Sequence, residues 1–201
     1  MQKVIDPIRQ NPDWTKLEAM SRDIPQALIA IEDHNYYEHG AIALEGIFRA
    51  ALVNITAGEI VQGGSTLTQQ FVKNIFLSHE QSLERKVEEA ILSLMLEDNY
   101  TKEEILELYL NTTYFGAGAK GIKQAAAIYF DKAPSSLTLA EAAIIASLPY
   151  APSILNPLEN PLECKKRQLL VLHSMYKYEF INQAQLNEAK NEIVYLTNGT
   201  T

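Results

Sequence analysis

The sequence predicts an all-α fold on three observations. Residue pairs with the form of helix capping boxes recur along the chain, apolar residues between them return at three- and four-residue spacing, and alternating strand patterns are scarce. Pro25 stands near the start of the apolar segment PQALIAIED, where a first helical turn tolerates it because Pro lacks only an amide that is unpaired there. In QGGSTLTQQFVKN (62–74), two glycines followed by Ser65, Thr66 and Thr68 predict a flexible turn leading into a helix. Ser78 with Gln81, Thr101 with Glu104 and Thr138 with Glu141 open three further helices, and Asn182 with Gln185 opens another. Helical spacing continues through Leu83, Val87, Ile91 and Leu94, and through Ile105, Leu108 and Tyr109. Only EIVYLTN (192–198) has an extended pattern, short enough for a lone edge strand. The Pro-rich stretch 149–161 is the clearest break, linking a main helical body of about 1–148 to a helical tail, 162–201, within a single domain of 201 residues.

Composition narrows the function classes. Seventeen Lys and Arg against 25 Asp and Glu give a net charge of −8, and 47% of residues are hydrophobic. Such a chain supports a sizeable core, and wholesale disorder is excluded. The acidic balance argues against sequence-independent nucleic-acid binding, so no nucleic-acid partner is expected and any anionic ligand needs a local cationic patch. The single cysteine, Cys164, excludes an intramolecular disulfide and a multi-cysteine zinc site. The N-terminal MQKVIDPIRQNPDW lacks the apolar core of a signal peptide, and no stretch reaches the ~18 to 20 apolar residues that span a bilayer. The chain reads as soluble or peripheral, or as an excised domain.

Three segments carry chemistry. In IEDHNYYEHG (31–40), Glu32, Asp33, His34, Glu38 and His39 crowd the end of an apolar helix. Acidic residues there oppose the helix dipole, a local conflict common at functional sites, although a solvated polar turn has the same composition. His34 and His39 do not share a helical face, which disfavours a metal site built from them. In the second segment, Gln69 with Lys73 and Gln70 with Asn74 make a polar stripe that can receive phosphate near a helix start, or an ordinary capped surface helix. In SLERKVEEAILSLMLE (82–97), the spacing places Leu83, Val87, Ala90 and Leu94 on one face, predicted to face the core, with Arg85, Lys86 and Glu89 on the other. Those three form either a surface ion pair or a receptacle for pyrophosphate, direct or through a divalent ion. Two look-alikes are set aside. GAGAKG (116–121) has the dinucleotide-binding spacing but follows a predicted helix where a strand is required. The SxxK at Ser174–Lys177 lacks its companion motifs, and Ser65 lacks a positioned His–Asp pair in sequence.

Taken together, IEDHNYYEHG, GGSTLTQQFVKN, RKVEE, ILELYLN with its following glycines, AAAIYFDK and LTLAEAAIIASLPYAPSILNP resemble the peptidoglycan glycosyltransferase domain, glycosyltransferase family 51, of class A penicillin-binding proteins and monofunctional transglycosylases. The resemblance runs from about residue 24 to 175. It implies a lysozyme-like helical enzyme of cell-wall synthesis that transfers the growing lipid-linked glycan onto the 4-hydroxyl of lipid II, releasing undecaprenyl pyrophosphate with inversion. It further implies Glu32 as general base. Glu89 would position the pyrophosphate, through a divalent Mg2+ or Mn2+ ion, and no organic cofactor is implied. Lys73, Arg85 and Lys86 would neutralise the pyrophosphate, and Ser65, Thr66, Gln69, Gln70 and Asn74 would line the donor site, where the inhibitor moenomycin binds in this family. Asp33 and His39 would organise Glu32, and Ser153 would contact substrate.

The implied partners are lipid II, the glycan strand, the membrane surface and other cell-wall synthesis proteins, and the implied location is the outer face of the bacterial cytoplasmic membrane. AIALEGIFRAALVNITAGEIV (41–61) would be an apolar flap that meets the lipid. The chain departs from the family pattern at Tyr37, usually Phe, and at Tyr150, where many members carry Lys. A transmembrane anchor and a transpeptidase domain are not expected on these 201 residues. The alternatives are a lysozyme-like glycan-cleaving enzyme with Glu32 as acid, and a non-catalytic glycan- or lipid-binding module.

Overall fold

A computed structural model of the chain describes residues 1–43, 64–78 and 82–197. Its helices are α1 (Gln2–Arg9), α2 (Asp23–Glu32), α3 (Leu67–Phe76), α4 (Leu83–Asn99), α5 (Lys102–Thr112), α6 (Ile122–Phe130), α7 (Leu139–Ser147), α8 (Pro161–Lys177) and α9 (Gln183–Asn191), joined in places by single 3-10 turns. Among the described residues there is no strand, only an isolated bridge between Tyr114 and Lys120, so the all-α expectation holds there. Of the expected edge at 192–198, the described residues 192–197 form an irregular tail, fastened by the Thr197 amide donating to the Tyr129 carbonyl at 3.0 Å. Most of the apolar flap, from residue 44 onward, lies outside the described residues.

The chain groups into two compact units, one formed by 1–34 with 107–201 and the other by 35–106. In the first, α7 is the central element. Ala140 through Ser147 are all buried, and α7 packs against both α2 and α8. A helix apolar around its whole circumference belongs in a core. Its one buried carboxylate, Glu141, is accounted for. It completes the capping box with Thr138 and accepts from Lys132 Nζ at 2.6 Å. Residues 14–17 are clamped onto α5, because Glu107 accepts from Trp14 Nε1 at 3.0 Å and from the Leu17 amide at 2.7 Å. One turn later, Asn111 exchanges hydrogen bonds with the Thr15 backbone. The Pro-rich stretch 149–161 lies within this unit.

The turn after α5 requires glycine at two places. Gly116 (φ +85°) would bring a Cβ to 2.7 Å from the Pro152 carbonyl oxygen, and Gly121 (φ +87°) to 2.6 Å from that of Asn111. GAGAKG is thus a tight turn following a helix, as its sequence context required. SxxK lies inside α8.

Cys164 on α8 is buried. Burial pushes its thiol up to about 11, against smaller lowering by a hydrogen bond with Ser147 and the charge of Lys165. The fold therefore holds a proton that the unfolded chain releases near its ordinary value of 9.0. This contribution to stability is complete below about pH 9 and is lost as the pH rises to about 11, by roughly 2 to 3 kcal/mol. The difference in unfolding free energy between wild type and C164A should shrink by that amount over this window. A constant difference contradicts the assignment.

In the second unit, α3 packs against α4. Thr66 and Gln69 close a capping box at the start of α3. Helix α4 starts at Leu83, where Ser82 Oγ accepts from the Arg85 amide at 3.1 Å. The expected start at Ser78 with Gln81 is therefore displaced by four residues, and Gln81 lies outside the described residues. The facing of α4 is also corrected. Leu83, Val87, Ile91, Leu94 and Met95 are each at least half exposed, while Glu89, Ser93 and Leu96 are buried. The inward face tolerates the carboxylate because Arg85 and Lys86 flank it and the Ser93 hydroxyl is used up on the Glu89 carbonyl at 2.6 Å.

Candidate active site

One constellation surrounds Glu89 in the second unit. Its side chain is only 2% exposed, with Oε1 receiving a short hydrogen bond from Lys86 Nζ and Oε2 lying 3.8 Å from Arg85 Nη1. Lys86 also donates to Ser65 Oγ at 3.1 Å, drawing the turn before α3 onto α4. Two cations against one carboxylate leave a local charge of +1, and Arg85 Nε is buried with no hydrogen-bond partner among the described residues. With a net positive charge and a spare donor, the cluster can receive an anion.

The donor set does not fit a resident divalent ion. Both oxygens of the lone carboxylate already face cations, which repel a metal. Among the described residues no group of three or more His, Cys, Asp or Glu converges.

The other predicted residues of this unit are spread along α3 and the preceding loop. Thr66 and Gln69 are buried and occupied by the capping box, with Thr66 Oγ1 also donating to the Ala41 carbonyl at 2.8 Å. Gln70 is half-buried, while Lys73 and Asn74 are exposed. His39 faces the Gly40 carbonyl through Nδ1 at 2.6 Å, so that nitrogen carries the proton, and its ring meets the edge of Tyr36. Tyr36 in turn donates to the Lys102 carbonyl at 2.9 Å, and the Lys102 ammonium lies over its ring. Tyr37 is exposed. Thr68, Glu97 and Lys102 form a linked polar group that the sequence did not single out.

The second constellation surrounds Glu32, the last residue of α2, in the first unit. Its side chain is 14% exposed, accessible enough to act as a base, with Arg167 Nη2 3.9 Å from Oε1. Tyr109 on α5 is fully buried, and burial first and the nearby Glu32 charge second raise its phenol well above the ordinary value. It therefore stays neutral beside the carboxylate. Asp33 caps α2 in a non-helical conformation (φ −157°, ψ 65°), which ends the helix directly after Glu32. His34 stacks on Tyr178 with ring centroids 3.9 Å apart. Ser153 is exposed in the turn after Tyr150.

Arg167 and Tyr178 carry no signal in the sequence, and Tyr109 stands out there only as part of the helical apolar pattern with Ile105 and Leu108. Arg167 sits in the run Lys165, Lys166, Arg167, which has the composition of a solvated surface, and its contact with Glu32 has no local sequence signal. The two glutamates thus have opposite settings, one buried between cations and one partly open.

Residues 1–176 match the transglycosylase family. The chain is 44% identical over 179 residues to penicillin-binding protein 1A of Aquifex aeolicus (strain VF5), covering 89% of this chain and 25% of that protein. It is 42% identical over 179 residues to penicillin-binding protein 2D of Bacillus subtilis (strain 168), covering 89% of this chain and 26% of that protein. Among solved structures, penicillin-binding protein 1A from Haemophilus influenzae matches with a TM-score of 0.47 at 33% identity, over 65% of this chain and 16% of that one. The chain spans about a quarter of the length of the curated relatives it matches.

Proposed function

The chain belongs to the transglycosylase family, and on that premise we propose that it is a peptidoglycan glycosyltransferase that polymerises glycan strands from lipid II. The observation that carries the reading is the Glu89 cluster, where a buried carboxylate flanked by two cations leaves an unpartnered guanidinium N–H. A glycan-cleaving hydrolase has no pyrophosphate to hold. A passive lipid-binding module needs no second carboxylate in a separate, accessible setting.

In the proposed reaction Glu32 takes the proton from the acceptor 4-hydroxyl as its oxygen attacks C1 of the donor sugar. The bond from C1 to the pyrophosphate oxygen breaks with inversion, and the leaving group departs with the electron pair. Charge gathers on that oxygen, where Arg85, Lys86 and the exposed Lys73 stabilise it. Glu89 holds Arg85 and Lys86 in place. No step is routed through a divalent ion.

The proposed setting is a membrane surface of the bacterial cell envelope. The apolar stripe from Leu83 to Met95 on α4 supports it, since a lipid-linked substrate is delivered in the plane of a bilayer and an outward apolar face can lie there. The growing glycan strand and other wall-synthesis proteins are the partners this setting supplies.

The test is incubation with lipid II in detergent or bilayers, followed by separation of the products by length. Strands longer than the substrate are expected, and their absence overturns the proposal. Arg85→Ala should weaken binding of a donor-site inhibitor by about tenfold or more, read by a fluorescent displacement titration, because charge-assisted contacts to phosphate are among the stronger ones. Unchanged binding would return Arg85 to a plain helix-surface ion pair.

A further inference from the structure

We infer that Arg167, shelved on Tyr150, is a positioning residue for Glu32, an assignment that rests on the glycosyltransferase reading above. Three observations converge on α8. First, the Arg167 side chain is 20% exposed, in contrast to Lys166 beside it at 70%, and its guanidinium points inward with Nη2 3.9 Å from Glu32 Oε1. Second, the guanidinium lies over the ring of Tyr150, 4.2 Å from the ring centroid. Third, Tyr178, at the C-terminal cap of the same helix, stacks on His34. The helix and its cap therefore touch both Glu32 and His34, two residues apart at the end of α2.

The chemistry gives this arrangement a purpose. A general base must present one carboxylate oxygen to a hydroxyl in a defined direction, and a glutamate at a helix end has rotamer freedom to lose. At 3.9 Å Arg167 is too far for a short hydrogen bond. It acts as a fixed charge on the Oε1 side. Its Nε is buried without a hydrogen-bond partner among the described residues, so the packing of the flat guanidinium against the aromatic ring locates it. Tyr150 is 63% exposed, and one face of its ring is covered by the Arg167 guanidinium. A planar cation is required, because an ammonium on a flexible stem neither stacks nor keeps the same direction.

The experiment measures kcat and KM for lipid II polymerisation in wild type, R167Q, R167K, Y150A and Y150F. Donor-site inhibitor binding and thermal unfolding of each variant are followed in parallel. R167Q should lose about 10- to 30-fold in kcat with KM within about twofold, and R167K should recover only part of it. Y150A should lose about two- to fivefold in kcat, and Y150F, which keeps the ring, should restore it. Melting temperatures and inhibitor binding should stay near wild type. Wild-type kcat in R167Q, a loss confined to KM, or equal kcat in Y150A and wild type overturns the assignment. If wild type itself makes no polymer, the glycosyltransferase reading falls first, so the two failures are distinguishable.

Discussion

Glu32→Gln is expected to abolish glycan polymerisation, with a fall of at least about a hundredfold in kcat, the lower end of what a positioned base contributes. The substitution keeps the size of the side chain at the end of α2, between Arg167 and the buried Tyr109, and removes only its charge and basicity. The amide matches the carboxylate in shape and Tyr109 beside it is neutral in either case, so the packing is kept and the fold should not weaken. Binding of a donor-site inhibitor should remain, since the cations that would hold it, Arg85 and Lys86, are gathered around the other glutamate. Product length by gel and inhibitor titration on the same preparation decide the matter. Loss of both activity and binding, or a collapse of the melting temperature, would make Glu32 a structural residue.

Gly121→Ala should unfold the protein readily, at a cost of about 4 kcal/mol. Gly121 precedes α6 with φ 87° and ψ 158°, a region of backbone space that side-chain-bearing residues essentially never occupy. The strain of about 1 to 3 kcal/mol adds to a steric term of about 1 to 3 kcal/mol, because the new Cβ would sit 2.6 Å from the Asn111 carbonyl oxygen, which belongs to backbone and cannot turn aside. Asn111 is also the clamp on Thr15, so the damage reaches the N-terminal segment. Chemical denaturation should show the midpoint falling with the slope unchanged. Gly118→Ala is the control, since nothing lies within 4 Å of its added Cβ, although its φ of +78° still carries backbone strain. Equal losses at the two positions would remove the steric half of the account.

Much of the helical order was legible because caps are local. Thr101 with Glu104, Thr138 with Glu141 and Asn182 with Gln185 each form the reciprocal bonds their letters suggest. The start of α4 was misplaced because Ser78 and Gln81 satisfy the letter pattern, whereas Ser82 caps Arg85 without a reciprocal side chain and leaves no such signature. The facing of α4 was read backwards for a deeper reason. Periodicity divides a helix into two faces but carries no sign, and the usual assumption that the apolar face turns inward fails where a carboxylate is buried with two cations. Of the candidate site residues, Glu32, Glu89, Arg85 and Lys86 stand within short ordered segments, which makes them legible as candidates. Arg167 meets Glu32 only through the fold, and no local spacing announces it.

The outward apolar stripe of α4 also governs the protein as a colloid. A net charge of −8 holds copies apart at low ionic strength, where fields extend about 30 Å at 0.01 M, but at 1 M salt they reach only about 3 Å. Concentrated salt therefore removes the repulsion and strengthens the pull between exposed Leu83, Val87, Ile91, Leu94 and Met95 on neighbouring molecules. Purification of this chain should favour dilute buffer and mild detergent, and salting-out conditions should precipitate it early.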